Sequence, residues 1–117
     1  MRPNGAKAAY RGATRFQSQR EREADIFRQA IADLRAAPDP GSVARARAMA
    51  DNRRLWNIVN TMMRDPGNQI SAELRAAILA VGLAVQREMD KREPDIEFLI
   101  SVNDNMAAGL EAGQTVN

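Results

Sequence analysis

Apolar residues recur every three or four positions along most of this 117-residue chain, which is the spacing of amphipathic helices. Three groups of helix-breaking residues interrupt the pattern: PDPG at residues 38–41, DPGN at residues 65–68, and Pro94. They leave four segments of helical length with short connections, and short connections make neighbouring helices antiparallel. The pattern therefore predicts an all-α fold, an up-down antiparallel four-helix bundle, without any strand.

Polar residues at the segment boundaries predict where the helices begin. Ser18 and Glu21 have the spacing of a capping box, so the first helix is expected to start near Ser18. Ser42 and Ser71 are expected to cap the second and third helices, and Pro94 is placed for the first turn of the fourth. The expected organisation has three parts: an N-terminal extension at residues 1–17 that is either a short extra turn or loose chain, a bundle domain at residues 18–112, and a frayed tail at residues 113–117.

The inward stripe of each helix is apolar, except for one asparagine in the second helix and one in the fourth. The four stripes are Phe27, Ala30, Ile31 and Leu34; Met49, Asn52, Trp56, Val59 and Met63; Leu74, Ile78, Val81, Val85 and Met89; and Ile96, Leu99, Asn103, Met106 and Leu110. Asn52 and Asn103 lie at nearly the same depth in helices that run parallel across the bundle diagonal. We therefore expect a buried polar layer in which the two amides bond to each other, to backbone or to a shared water. Trp56, one turn after Asn52, is expected to be a core anchor.

The composition argues against catalysis. The chain has no histidine and no cysteine, so it lacks the usual neutral-pH base and a thiolate nucleophile. Its carboxylates lie mostly beside basic residues, and no metal-ligand spacing or glycine-rich phosphate loop is present. We expect no enzyme, no cofactor and no metal site. Without a membrane-length apolar run or a signal sequence, a cytoplasmic protein is expected.

The third helix carries more apolar surface than one inward stripe needs. In LRAAILAVGLAVQREM, Leu79 and Leu83 fall outside the stripe, and Gly82 allows another helix to approach closely. One interpretation is a groove along the two leucines that binds a partner helix, with Arg53 and Arg54 as polar contacts at its rim. Two others remain open: residues 1–17 cover the patch with Tyr10 and Phe16, or a homodimer buries it.

Charge is distributed unevenly along the chain. Residues 1–64 carry a net charge of +7 and residues 65–117 a net charge of −5. The excess arginine in the first half is compatible with contacts to RNA phosphates, although no aromatic residues alternate with the arginines for base stacking. The alternative is that the two halves attract each other within the fold.

Several blocks of the sequence resemble a known family. RERE opens the first helix, DNRRLW lies in the second, RDPGN precedes LRAAILAVG, and LISVNDNMAAGL lies near the end. In order and spacing these blocks resemble the FlaF family of flagellar biosynthesis regulators, over about residues 9–110.

The resemblance implies a small, all-helical cytoplasmic protein that controls flagellin production and export. It implies flagellin binding in a chaperone-like role, in a circuit with the FlbT regulator, which acts on flagellin messenger RNA. Flagellin subunits have long terminal helices that pair only in the filament, so spare apolar surface on a cytoplasmic protein would shield them. Two functional hypotheses follow: a non-enzymatic flagellin-binding regulator that uses Leu79, Leu83, Arg53 and Arg54, or a regulator that binds flagellin messenger RNA through its basic half.

Overall fold

Four helices account for nearly all of the part of the chain that the structure describes. The computed structural model describes the backbone of residues 5–112 and the side chains of residues 19–112. The helices are α1 (Gly5–Arg35), α2 (Val43–Arg64), α3 (Ala72–Met89) and α4 (Ile96–Ala112), and no strand occurs within residues 5–112. Among them, α1 packs most closely on α4 and α2 on α3, while α1–α2 and α3–α4 contacts close the ring. The predicted four-helix bundle is confirmed.

The start of the first helix was predicted wrongly. α1 begins at Gly5, so Ser18 lies well inside it and cannot be an N-cap, which requires a non-helical backbone. The alanine-rich sequence of residues 5–14 has high helix propensity and contains no proline, and this outweighs the capping signal. Most of the predicted extension is thus continuous with α1. The side chains of Tyr10 and Phe16, and the predicted tail at residues 113–117, lie outside the described residues.

Side-chain caps define the starts of the other helices. The Ser42 hydroxyl accepts the backbone N–H of Arg45 at 3.0 Å, and the Ser71 hydroxyl accepts that of Leu74 at 3.1 Å. Both predicted caps are confirmed. At α4 the cap is Asp95, whose carboxylate accepts the backbone N–H of Phe98 at 3.0 Å. Pro94 therefore lies before the cap and not in the first turn of α4, where the sequence had predicted it. Each cap satisfies one of the amides that the first turn of a helix leaves free.

The core is aliphatic around a single indole. Phe27 meets Trp56 edge-on, with ring centroids 6.0 Å apart and an interplanar angle of 68°. The largest fully buried side chains are Trp56, Leu34, Leu99, Val85, Asn52 and Asn103.

The inward face of α3 differs from the predicted stripe. Leu74 and Val81 are exposed, whereas Gly82 is buried along with Val85 and Met89. The physical reason lies in the neighbours of α3, because this helix packs closely on α2 and only loosely on α4. It is therefore rotated so that Gly82 faces α2, and the residues on its α4 side remain in solvent.

The close approach of α2 to α3 at Gly82 gives a testable expectation. A Cβ on Gly82 would overlap the side-chain oxygen of Asn60, whereas a Cβ on Gly109 would meet nothing within 4 Å. Replacing a mid-helix glycine with alanine gains about 1 kcal/mol of helix propensity. We therefore expect Gly109→Ala to stabilise the protein by about 1 kcal/mol, and Gly82→Ala to destabilise it by about 1 kcal/mol, as overpacking does.

Denaturant unfolding of the two variants measures both effects. Because the overlap involves one side chain, Gly82→Ala should become stabilising in an Asn60→Ala background. A stabilising Gly82→Ala in the otherwise unchanged protein would show that Asn60 moves aside without cost.

Glu88 holds the connection between α3 and α4. Its carboxylate accepts the backbone N–H of Asp95 at 2.9 Å and the ammonium of Lys91 at 3.0 Å. The backbone hydrogen bond first, and Lys91 second, lower the pKa of Glu88 below its ordinary value. The stabilisation from this carboxylate is therefore present above its unfolded-state pKa and is lost as the pH falls through the lowered one.

Candidate partner-binding surface on the second and third helices

The two stripe asparagines form the predicted buried contact. Both are fully buried, and the Asn103 amide donates to the side-chain oxygen of Asn52 at 2.7 Å. The Trp56 indole N–H donates to the Asn103 oxygen at 2.9 Å, and the Asn52 amide donates to the Met89 sulfur at 3.3 Å. The polar atoms of this layer thus bond to one another, which ties α2 to α4 across the diagonal. This geometry fits a structural role and leaves little capacity for a ligand.

Arg53 contacts the C-terminal end of α3. Its guanidinium binds the Asp90 carboxylate at 2.8 Å and donates to the Met89 carbonyl at 3.3 Å. It thus places a positive charge at the C-terminal end of α3, where the helix dipole favours one. Arg53 thus has partners within the fold, and the prediction that it contacts a partner at the rim of the groove stays a prediction. Arg54 differs, since its side chain is 72% exposed and the ion pair it forms among the described residues is with Asp51 of its own helix, at 3.2 Å.

Other contacts link the basic first half of the chain to its acidic second half. Arg28 on α1 forms ion pairs with Asp104, at 3.4 Å, and with Glu111, both on α4. These contacts raise the pKa of the Arg28 guanidinium above its ordinary value, with the Glu111 hydrogen bond as the largest cause. Together with the Arg53–Asp90 pair, they show that the two halves attract each other within the fold.

Leu79 and Leu83 border a hollow between α3 and α2. Leu83 is 49% exposed, and Leu79 is partly buried against the core. The hollow measures about 270 Å³, and its lining residues are Asn60, Arg64, Leu79, Ala80, Leu83 and Gln86. The charged side chain beside the leucines is thus Arg64, which the sequence analysis did not select. Neither Arg53 nor Arg54 lines this hollow.

A second hollow lies on the outer side of α2. It measures about 260 Å³ and is lined by Arg54, Asn57, Ile58, Thr61 and Met62. Ile58 and Met62 are 53% and 48% exposed, and their spacing of four residues puts them one above the other on the helix. The sequence analysis missed this pair. It carried the same signal as the leucines, namely large apolar residues outside the inward stripe.

The two apolar pairs lie on different sides of α2. The Gln86 amide donates to the Asn57 side chain at 2.9 Å, and Gly82 faces Asn60, so Asn57 and Asn60 lie on the side of α2 toward α3. At about 100° per residue, Ile58 and Met62 lie on the side away from α3, and the two hollows share no lining residue. We call the lining of the hollow between α3 and α2, namely Leu79 and Leu83 with Asn60, Arg64, Ala80 and Gln86, the hairpin surface. Apolar side chains in a groove between two helices suit the apolar face of a partner helix.

The described residues were also searched for a metal site and for a membrane-spanning helix. No group of three or more His, Cys, Asp or Glu side chains that could hold a metal ion is found among them. No helix in the described part of the chain has the length and apolarity to cross a membrane.

One of the comparisons with known proteins identifies a family. Curated proteins give no match to this chain. Solved structures give none either. The family model described as "Flagellar protein FlaF" matches residues 6–110, which is most of the chain and all four helices of the bundle. This chain belongs to the FlaF family of flagellar proteins.

Proposed function

We propose that this FlaF-family protein is a non-enzymatic, cytoplasmic protein that binds flagellin in a chaperone-like way and thereby controls flagellin synthesis and export. The observation that carries the proposal is the hairpin surface. Its two leucines lie one helical turn apart on α3: Leu83 is 49% exposed, and Leu79 is partly buried against the core. Exposed apolar side chains grouped in this way mark surfaces that bind other polypeptides.

The proposal matches the apolar faces of flagellin's terminal helices with exposed apolar side chains on this protein. Flagellin has terminal helices whose apolar faces are covered only in the filament. The hairpin surface presents Leu79 and Leu83 one helical turn apart beside α2, so a partner helix laid in this groove would bury both leucines. Burying apolar area contributes about 25 cal/mol per Å², which makes such a contact favourable without any catalytic chemistry.

A binding measurement with flagellin tests the proposal. We expect Leu83→Asp to weaken binding at least about tenfold, corresponding to about 1.4 kcal/mol, because a buried charge replaces an apolar contact. Folding should be unaffected, since the side chain is already half in solvent. Calorimetric titration of flagellin into the purified protein provides the affinity, and circular dichroism checks the fold.

The matched control is Val43→Asp. Val43 is 75% exposed in the first turn of α2, far along that helix from Arg64, and an acidic residue suits a helix N-terminus. This variant should bind flagellin normally. Equal affinities of the Leu83→Asp variant and the unchanged protein would rule out the hairpin surface as the flagellin site.

The other partners remain proposals of lower rank. Contact with the FlbT regulator rests on the family alone. RNA binding through the basic half is less favoured because Arg28 and Arg53 are paired with acids of the other half. A homodimer that buries the hairpin surface would appear in light scattering as twice the monomer mass.

A further inference from the structure

We infer that the exposed face of α3 binds the same face of a second copy of this chain, as an antiparallel pair of helices. Five exposed residues follow one another along α3 at alternating intervals of three and four, and we call them the outer stripe: Glu73, Ala76, Ala80, Leu83 and Arg87. This spacing is the heptad repeat of helices that pair along their length. Because all five residues are exposed, none of the described helices covers the stripe.

The charges of the outer stripe complement those of a second copy. Glu73 lies seven residues before Ala80, and Arg87 lies seven residues after it. In an antiparallel pair with Ala80 opposite Ala80 of the second copy, Glu73 of each copy lies level with Arg87 of the other. A two-fold symmetric dimer makes this contact twice, because residue i meets residue j wherever j meets i. A parallel pair in register would instead bring like charges together, which is unfavourable.

The apolar residues between these charges are complementary in size. Leu83 is 49% exposed and supplies the large apolar side chain of the outer stripe. In the same register, Leu83 of one copy lies opposite Ala77 of the other, between Ala76 and Ala80. Alanine side chains let two helices approach closely, so the leucine packs among them. Burial of one leucine from each copy gives the dimer its apolar contribution.

The two charged residues of the outer stripe form no ion pair with the described residues of their own chain. None of the ion pairs found there involves Glu73 or Arg87, whereas Arg28 and Arg53 are paired with acids of α4 and of the α3 C-terminus. A second copy therefore breaks no internal ion pair when it binds. Exposed pairs of this kind add little affinity, but they select the partner and its orientation.

A single helix pair makes a small interface. Stable protein interfaces bury about 1,200–2,000 Å² in total, and transient contacts bury less. Because α3 has only 18 residues, we expect a weak dimer with a Kd on the order of 10–100 µM. Leu83 also lines the hairpin surface, so the dimer and a flagellin helix compete for this side chain. That competition rests on the proposed function, whereas the dimer itself does not.

Exchange of the two charges tests the inference with the full-length protein. Sedimentation equilibrium up to about 500 µM, several times the expected Kd, should show the dimer of the unchanged protein. Glu73→Lys and Arg87→Glu should each weaken dimerisation at least about tenfold, because each brings like charges together. The double variant should dimerise like the unchanged protein. An equal mixture of the two single variants should form a heterodimer, because opposite charges then meet at both ends of the helix pair.

The matched controls carry the same charge changes elsewhere. Glu97 is an exposed glutamate in the first turn of α4, and Arg92 is an exposed arginine in the α3–α4 connection. Because neither lies on the outer stripe, Glu97→Lys and Arg92→Glu should leave the monomer–dimer equilibrium unchanged. Circular dichroism checks that every variant keeps its helix content.

Three outcomes overturn the inference. The unchanged protein stays monomeric over the whole concentration range, the single variants dimerise as well as the unchanged protein does, or the mixture of weakened single variants stays monomeric. The last outcome would also exclude the antiparallel register, because that register predicts the rescue.

Flagellin titrations separate this inference from the proposed function. If flagellin binding depends on Leu83 but the protein stays monomeric without flagellin, the inference fails and the proposed function stands. If the dimer forms with the expected charge dependence and flagellin does not bind, the inference stands and the proposed function fails.

Discussion

We expect Trp56→Ala to lower the free energy of unfolding by about 4 kcal/mol, the middle of the range for truncating a large buried aromatic side chain. Trp56 is fully buried, packs edge-on against Phe27, and donates its indole N–H to Asn103. The truncation therefore leaves a cavity and removes the partner of a buried amide oxygen. Typical domains are stable by only about 5–15 kcal/mol, so much of the stability would be lost.

Urea denaturation followed by far-ultraviolet circular dichroism measures this loss without relying on the indole, which is the single tryptophan of the chain. Phe98→Ala is the control, because Phe98 is an aromatic residue with 37% of its surface exposed, and we expect it to cost clearly less. Trp56→Phe should fall between the two, since it keeps most of the ring volume but removes the N–H donor. If the Trp56 and Phe98 truncations cost the same, the indole is not the anchor of the core.

The second large effect is expected at the buried polar layer. Asn103→Leu keeps the volume of the side chain but leaves the Trp56 N–H and the Asn52 oxygen without their partners. Each unsatisfied buried polar group costs about 1–3 kcal/mol, so we expect a total loss of about 3 kcal/mol. The matched control is Asn105→Leu, an exposed position on the same helix, which should change stability by less than about 0.5 kcal/mol.

A double-mutant cycle shows whether the two amides act together. Asn52→Leu should be costly alone, but its effect should be smaller once Asn103→Leu has already broken the shared hydrogen bond. Strictly additive losses would mean that the Asn52–Asn103 hydrogen bond contributes nothing of its own. A stabilising Asn103→Leu would mean that apolar packing outweighs the whole network, as replacement of some buried polar groups does.

The features determined by the sequence are those that depend on neighbours along the chain. The four helices and the two proline-glycine turns follow from apolar periodicity and backbone restriction, and the caps at Ser42 and Ser71 follow from a hydroxyl three residues before a free amide. The pairing of Asn52 with Asn103 was also predictable, because equal depth in two helices depends only on the rise per residue.

Two local sequence signals conflict at the start of α1. The capping box at Ser18 predicted the start of the helix there, although the alanines before it have high helix propensity. The backbone is helical from Gly5, because a serine inside a helix costs only a few tenths of a kcal/mol. A capping motif alone therefore does not end a helix whose preceding residues also favour it.

Only the tertiary structure determined how each helix is rotated about its axis and which charged side chains form ion pairs between helices. α3 turns Gly82 toward α2 and leaves Val81 in solvent, and Arg53 forms an ion pair with Asp90 at the end of α3. Each of these outcomes depends on the azimuth and height of a neighbouring helix, and no residue adjacent in sequence determines those quantities. For the same reason the sequence could reveal Leu79 and Leu83 as surplus apolar residues, while their position beside Arg64 depended on how α3 packs against α2.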